Sequence, residues 1–395
     1  MDLRTQLGLR PVINVSGTMT SLGASIAVPA AVEAAAAILP QFVEIADLQR
    51  CASAAIARAC GSEAGFITAS CAAGITLAVA GTMTGDDLAA IERLPDCSGL
   101  KHAVVMQAGH LVNYGAPIDQ AVRLAGARVV PVGQATEAHG YQLEGAIGPS
   151  TTAVLHVVSH HTVSYAQIPL VTVIEVAHAR GVPVIVDAAS EYDLRGFISR
   201  GADIALYSAH KFLGGPTAGI VAGRKALVRA AYLQNHGIGR GMKVGKEGIY
   251  GSIAALQAWG ARDHAAVRES ERACLYLWRD GLAGQPGVRA VIEPDPTGNP
   301  LERLRIHIDA RSAHITAWDF VDALAAGEPP VIARDHEAEL GYFDLDPCNL
   351  HPGQERLVLQ ALTTALERAR SERRPATPLA ERRRRQIAQR LRWPD

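Results

Sequence analysis

Residues 182–223 read VPVIVDAASEYDLRGFISRGADIALYSAHKFLGGPTAGIVAG, and two apolar runs inside them set the architecture. The run Val182–Val186 ends on Asp187 and small residues, the pattern by which a buried parallel strand delivers a polar group to the carboxyl edge of a sheet. A second run, Ala202–Tyr207, ends in Ser208, Ala209, His210 and Lys211, followed by Gly214, Gly215 and Pro216. Two neighbouring strands would thus present a carboxylate and an amine at one edge. A lysine between a strand and a glycine turn, partly withdrawn from water, can serve as the nucleophilic amine of a Schiff base. Pyridoxal phosphate needs such a lysine, and an acid opposite its pyridinium nitrogen to keep the ring an electron sink. Asp187 and Lys211 supply the pair. Taken singly, each would be a cap or a solvated loop residue. The serine three residues before the lysine and the Gly-Gly-Pro after it reverse that balance.

A chain of 395 residues exceeds one ordinary core, so a large domain with a smaller partner is expected. With 48% apolar residues and a net charge of -1, the composition is that of a globular enzyme and gives no bulk electrostatic case for nucleic acid. The cysteines at 51, 60, 71, 97, 274 and 348 form no C-x-x-C pair and no zinc spacing, which suits reduced thiols. Neither a signal-peptide core nor a charge-free apolar run of about 18 residues is present, so no membrane association and a cytoplasmic location are expected.

The 182–223 stretch resembles the fold-type I pyridoxal-phosphate enzymes. Within them it is most similar to the branch containing bacterial L-seryl-tRNA selenium transferase and D-glucosaminate-6-phosphate ammonia-lyase. The resemblance runs from about Arg10 to Gln354 and implies an α/β fold of the aspartate aminotransferase type. Its parts would be an N-terminal arm (1–29), a large cofactor-binding domain with a mainly parallel sheet (30–245), a linker helix with a small α+β domain (246–372) and an Arg-rich tail (373–395). The linker helix is expected as one long element over Glu247–Leu282, and a homodimer is the least assembly the resemblance implies.

Other segments take roles from their composition and from the resemblance. In the arm, I-N-x-x-G-T followed by Leu-Gly makes Ser16, Thr18 and Thr20 candidates for substrate contact. The run Gly65–Gly74 opens a helix whose small-residue N-terminus is a ready phosphate site. There Ser70, Cys71 and Ala72 match the place where the family binds the cofactor phosphate. After a strand near Ala103–Met106, His110 is the candidate to stack on the cofactor face, with helix capping as the alternative. The strand Thr152–Val158 leads to Ser159, His160 and His161. Two adjacent histidines cannot point the same way from a strand, so no metal site is expected there without a third ligand. One of the two histidines, or Ser159, would instead bond the cofactor's phenolic oxygen or act on the substrate, with Ser159 the candidate cofactor contact and His160 the candidate substrate contact. The resembling branch has Ser-Asn here, and the departure leaves the partner of that oxygen open. Ala189, Ser208 and His210 complete the expected cofactor set.

The loop His236–Glu247, HGIGRGMKVGKE, carries Arg240, Lys243 and Lys246 and could hold an anion, such as a substrate phosphate or a neighbouring subunit's cofactor. A solvated connector is the alternative, and a similar string in ammonia-lyase-like relatives favours function. Arg334, ending a short strand, is the candidate for gripping a substrate α-carboxylate through its planar fork. The basic tail reads as a solvated or subunit-packing segment before an RNA arm, so no nucleic-acid partner is expected.

The expected activity is a lyase acting on a β-hydroxy amino acid, which could be a phosphorylated sugar acid, by α,β-elimination to a keto acid and ammonia. Lys211 would hold the cofactor and then remove the α-proton. Racemisation and transamination share the first steps and stay open. A selenium transferase fits less well, because the chain starts at the arm without a preceding tRNA-binding domain. A catalytically idle binding protein is disfavoured by Asp187 and Lys211.

Overall fold

The computed structural model describes residues 3–394. The chain forms two compact units, the larger of Ile26–Arg262 and the smaller of the segment up to Ser25 together with Asp263 onward. The first strand, β1 (Ile13–Val15), belongs to the smaller unit.

The larger unit begins with helices α1 (Pro29–Ile38) and α2 (Ile45–Cys60), then β2 (Ala64–Thr68) and α3 (Cys71–Thr84). Strands β3 (Ala103–Gln107), β4 (Arg128–Val132), β5 (Thr151–Val157), β6 (Val184–Asp187), β7 (Ile204–Ser208) and β8 (Gly219–Gly223) follow, and α4 (Lys246–Ala261) closes the unit. They form one seven-stranded sheet in the order β2-β8-β7-β6-β5-β3-β4. Strands β3 to β7 are mutually parallel, while β8 runs antiparallel to both β7 and β2. The apolar runs of β5 to β7 are buried along their whole length, because helices cover both faces of a parallel sheet.

Two expectations change here. Gly65–Thr68, read as the start of a helix, is strand: Phe66 and Ile67 pair with Val221 and Ile220 of β8. On the outer side of β2 the Gln49 amide from α2 donates to the Ile67 carbonyl at 2.7 Å and accepts from the Ile67 N–H at 2.9 Å. A side chain thus replaces the missing neighbour strand, and no sequence periodicity announces that. The single helix expected over Glu247–Leu282 is two, α4 and α5 (His264–Gly281). Asp263 breaks it by capping α5, its carboxylate accepting from Ala266 N–H at 3.0 Å. The two units also divide at this break, later in the chain than residue 245.

In the smaller unit, β9 (Val288–Pro294), β10 (Glu302–Ile308) and β12 (Tyr342–Leu345) form an antiparallel sheet in the order β12-β10-β9. Helices α5, α6 (Ala317–Ala325) and α7 (Gln354–Glu372) contribute Trp278, Phe320 and Leu362 to its core. The short strand β11 (Val331–Ala333) pairs in parallel with β1, so the arm is part of this core, with Ile13 and Val15 buried. The Arg-rich tail forms α8 (Leu379–Leu391), which buries no residue and is tied by Arg382 to Asp322 and Asp335. No described helix is long and apolar enough to cross a membrane.

Candidate active site

Every strand from β3 to β7 delivers its last residue to the same sheet edge, and β2 does likewise because two antiparallel pairings restore its direction. Asp187 closes β6, in register with Val157 of β5 and Leu206 of β7. Ser208 closes β7, and Lys211 follows in the turn back to β8. That turn needs Gly214 at φ +63°, where its N–H donates to the Lys211 carbonyl at 3.0 Å. The Lys211 ammonium donates to Ser190 Oγ at 2.6 Å. Ser190 lies three residues after Asp187, so each strand end steadies the polar group of the other. Sequence reading missed Ser190, although its place in the D-A-A-S turn was a usable signal.

Asp187 is buried, and burial raises its carboxyl above the ordinary range. The Cys71 thiol, the Lys211 ammonium and the Ala189 N–H pull it back down. Cys71 Sγ donates to Asp187 Oδ1 at 3.2 Å. The phenol of Tyr114 is pushed up to about 12 by burial, then by Asp187 and Cys71. Tyr114, on the Asn-Tyr-Gly turn after His110, thus feels the charge of this edge while its side chain stays partly exposed.

At the start of α3, Ser70 is the cap: its Oγ accepts from Ala73 N–H at 3.0 Å and its carbonyl accepts from Gly74 N–H. The N–H groups of Cys71 and Ala72 are those the cap leaves over, at the positive end of a fourteen-residue helix. Gly219, the first residue of β8, passes so close that a Cβ there would sit 2.1 Å from the Ser70 carbonyl oxygen. These features fit pyridoxal phosphate: free N–H donors for a phosphate, a buried acid for a ring nitrogen, and an amine for a carbonyl.

The strand order reverses between β3 and β5, the place where open α/β sheets bind ligands. His110 follows β3 and bridges that gap, its Nδ1 accepting from the Val157 N–H of β5 at 3.1 Å. The proton of the neutral ring is thereby assigned to Nε2. Burial lowers His110 to about 4. His156 of β5 packs edge-on against it at 4.5 Å and is lowered to about 3, by burial and then by His110. Ser159, His160 and His161 lie beyond the end of β5 in a turn. The divergence expected of adjacent strand residues does not hold there, and the rings of His160 and His161 lie 3.8 Å apart. Ser159 Oγ accepts from His161 N–H at 3.2 Å. His210 is buried, and burial followed by Lys211 lowers it.

The basic loop folds against the α3 cap. The Met242 carbonyl accepts from Thr68 Oγ1 at 3.2 Å and from Ala69 N–H at 3.3 Å. Arg240 and Lys243 flank that anchor, exposed and without a side-chain partner among the described residues. Lys246 is different: it bonds the Gln41 carbonyl and lies over the Phe42 ring. Its role is a link between the loop and the α1–α2 connection.

In the smaller unit, Ser16 is buried and bonded through Oγ to Asn14 Oδ1 at 2.7 Å, which removes it from the candidate substrate contacts. Thr18 is half-buried and Thr20 is exposed. Arg334 is 8% exposed, and its guanidinium has no hydrogen-bond or ion-pair partner among the described residues. Burial, then Arg303, hold it below the usual guanidinium range. Asp346, then Asp344 and Glu337, offset this in part without bonding the guanidinium, which leaves its donors available to a ligand anion.

The seven-stranded sheet and this edge define an enzyme of fold type I, the pyridoxal-phosphate class. The profile of the L-seryl-tRNA selenium transferase family matches residues 12–269, and the chain belongs to that family. It is 38% identical over 368 residues to a D-glucosaminate-6-phosphate ammonia lyase of Salmonella typhimurium, with 93% of this chain and 99% of that protein covered. It is 35% identical over 367 residues to a 5'-C-glycyluridine monooxygenase-decarboxylase of a Streptomyces species, with 91% of each covered. The solved structure of a D-glucosaminate-6-phosphate ammonia-lyase matches with a TM-score of 0.84 at 37% identity, over 93% of this chain and 99% of that one.

Proposed function

We propose that the protein is a pyridoxal-phosphate-dependent ammonia-lyase that removes water from a β-hydroxy amino acid bearing a distal phosphate. The observation that carries this reading is the 38% identity over almost the whole of both chains to the ammonia lyase, joined to the Asp187–Lys211 edge. When bound, the cofactor takes up the electron pair left on the substrate α-carbon. The chain's own groups do the rest. Cys71 and Ala72 N–H, with Ser70, bind the cofactor phosphate; Asp187 holds the proton at the ring nitrogen; His110, with Ser159, Ala189, Ser208 and His210, lines the ring. The Lys211 amine, once free, takes the α-proton, and that proton is available to the departing β-hydroxyl so that water leaves. The unsaturated amine then hydrolyses to a keto acid and ammonia. Within the larger unit, His160 contacts the substrate, and Arg240 and Lys243 hold its phosphate. Within the smaller unit, Arg334 and Thr18 are the groups with the chemistry to hold a carboxylate.

The assembly is a homodimer at least. Val32, Leu39, Phe42, Val43 and Ile45 stand exposed on α1, the following connection and the start of α2, with Phe42 wholly in water. Five exposed large apolar side chains within fourteen residues support a subunit contact. The location is cytoplasmic.

Replacing Arg240 and Lys243 by alanine should lower kcat/KM for phosphorylated substrates at least tenfold more than for unphosphorylated ones. A β-hydroxy amino acid should yield ammonia and keto acid in equal amounts, without an amino acceptor and without oxygen uptake. Equal losses on both substrate classes would reassign the two cations to cofactor or subunit contacts. The relationship to the monooxygenase-decarboxylase supports a second reading, and oxygen uptake with release of carbon dioxide would select it.

A further inference from the structure

The sequence placed Cys71 with the phosphate contacts, and its N–H remains there, but its side chain turns elsewhere. The thiol points from the first residue of α3 to Asp187 Oδ1 at 3.2 Å and is itself buried. Sequence separation between the two is 116 residues, so the contact is a product of the fold alone. Burial and the neighbouring carboxylate push the Cys71 thiol well above its ordinary range, and the Ser208 side chain also bonds it. A thiolate does not form there at working pH. The sulfur therefore keeps its proton, and Asp187 is where that proton is donated.

A buried carboxylate has to be held in one plane and kept charged if it is to bind a protonated ring nitrogen. The groups that act on Asp187 come from three segments: Cys71 from α3, Lys211 from the turn after β7 and Ala189 from the turn after β6; Tyr114, in the loop after His110, feels the Asp187 charge. Of these, Lys211 takes part in the chemistry, and its charge changes during turnover under the proposed reaction. The Tyr114 phenol is itself destabilised as an anion by Asp187, and so is no source of negative-charge compensation. Cys71 and the Ala189 N–H are the donors that stay constant.

We propose that Cys71 is a positioning residue whose S–H bond to Asp187 Oδ1 fixes the plane of that carboxylate and keeps it ionised for the cofactor's ring nitrogen. The role of Asp187 toward the cofactor rests on the reading above, whereas the thiol–carboxylate bond exists in the protein before any cofactor binds. Without the donor, Asp187 gains affinity for a proton and competes with the ring nitrogen for it, leaving the ring a weaker electron sink.

Cofactor-free protein labelled with 13C at aspartate carboxyls provides the test, with the Asp187 signal assigned by its loss in Asp187→Asn. Cys71→Ala should raise the Asp187 proton affinity about three- to tenfold, the effect of losing one donor to a charged group, while Cys71→Ser restores the native titration. In loaded protein, Cys71→Ala should slow α-proton exchange several-fold and shift the pH dependence of the cofactor absorption band, with serine again rescuing both. An unchanged Asp187 titration in folded Cys71→Ala protein overturns the proposal, as does a serine variant that behaves like alanine. If Cys71→Ala does not fold, the S–H infrared stretch of native protein decides: it should move in Asp187→Asn, and an unmoved band overturns the proposal. A normal cofactor spectrum and exchange rate in Asp187→Asn would instead overturn the cofactor role of Asp187 and leave the thiol–carboxylate bond standing.

Discussion

At the residue scale, the pair His110 and His156 shows what a buried polar group does to stability. Both rings are kept neutral by burial, His110 down to about 4 and His156 down to about 3. The unfolded chain takes up protons on these residues near the ordinary 6.5, whereas the folded chain does not until pH 4 or below. Lowering the pH from 6.5 therefore favours the unfolded state, and stability is lost as pH falls through the window from 6.5 to about 3. The shifts correspond to something on the order of 3 to 5 kcal/mol apiece at the acid end. Urea midpoints measured across that window should fall steeply with acid, and His156→Leu should flatten the curve by roughly one proton's worth. His110 itself was visible in the sequence as a residue after a strand. Its partner His156 was not, because a lone histidine inside an apolar strand carries no mark of what faces it.

At the scale of elements, the arm and the buried charges of the smaller unit depend on each other's geometry. Arg303 of β10 bonds both Asp295 and Asp346, the latter at 2.8 Å, and all three are buried. Asp346 in turn takes its N–H to the Val15 carbonyl of β1 at 2.9 Å, so the ion cluster sits directly behind the arm strand. Asp295 is held below the usual carboxylate range against the cost of burial, by Arg303 first and then by Thr297 and Asn299. Arg303→Met would leave two buried carboxylates without their cation and should cost about 3 to 5 kcal/mol. Chemical denaturation followed by tryptophan fluorescence would measure it, since Trp278 lies in this core. The sequence located β9, β10 and the short strand before Arg334. The parallel pairing of β1 with β11 was not legible, because a three-residue strand gives no periodicity and its partner lies more than three hundred residues away.

At the scale of the molecule, the segment from Val32 to Ile45 exposes five large apolar side chains and carries the proposed subunit contact. Phe42→Glu should turn the proposed dimer into monomers, or weaken it at least a hundredfold, in analytical ultracentrifugation. The thermal stability of the separated chain should change little, because Phe42 makes no core contact and is wholly exposed. A variant that still sediments as the native protein would place the subunit contact elsewhere.

The sequence by itself determined the parallel sheet, the order of its strands' polar endings, and the lysine and aspartate at one edge. Each of those is written in a local pattern, an apolar run followed by a particular residue. It also singled out the α3 cap, since a small-residue turn before a helix is a local signal too. Only the tertiary structure decided which groups meet at that edge: the Lys211 ammonium on Ser190, the Cys71 thiol on Asp187, His110 on the backbone of β5, and the basic loop on Thr68 and Ala69. It likewise withdrew Ser16 and Lys246 from the candidate ligands by giving them partners within the chain. The physical reason is range. A strand or a cap follows from neighbours within a few residues, whereas a hydrogen bond between side chains 116 residues apart depends on the packing of every element between them.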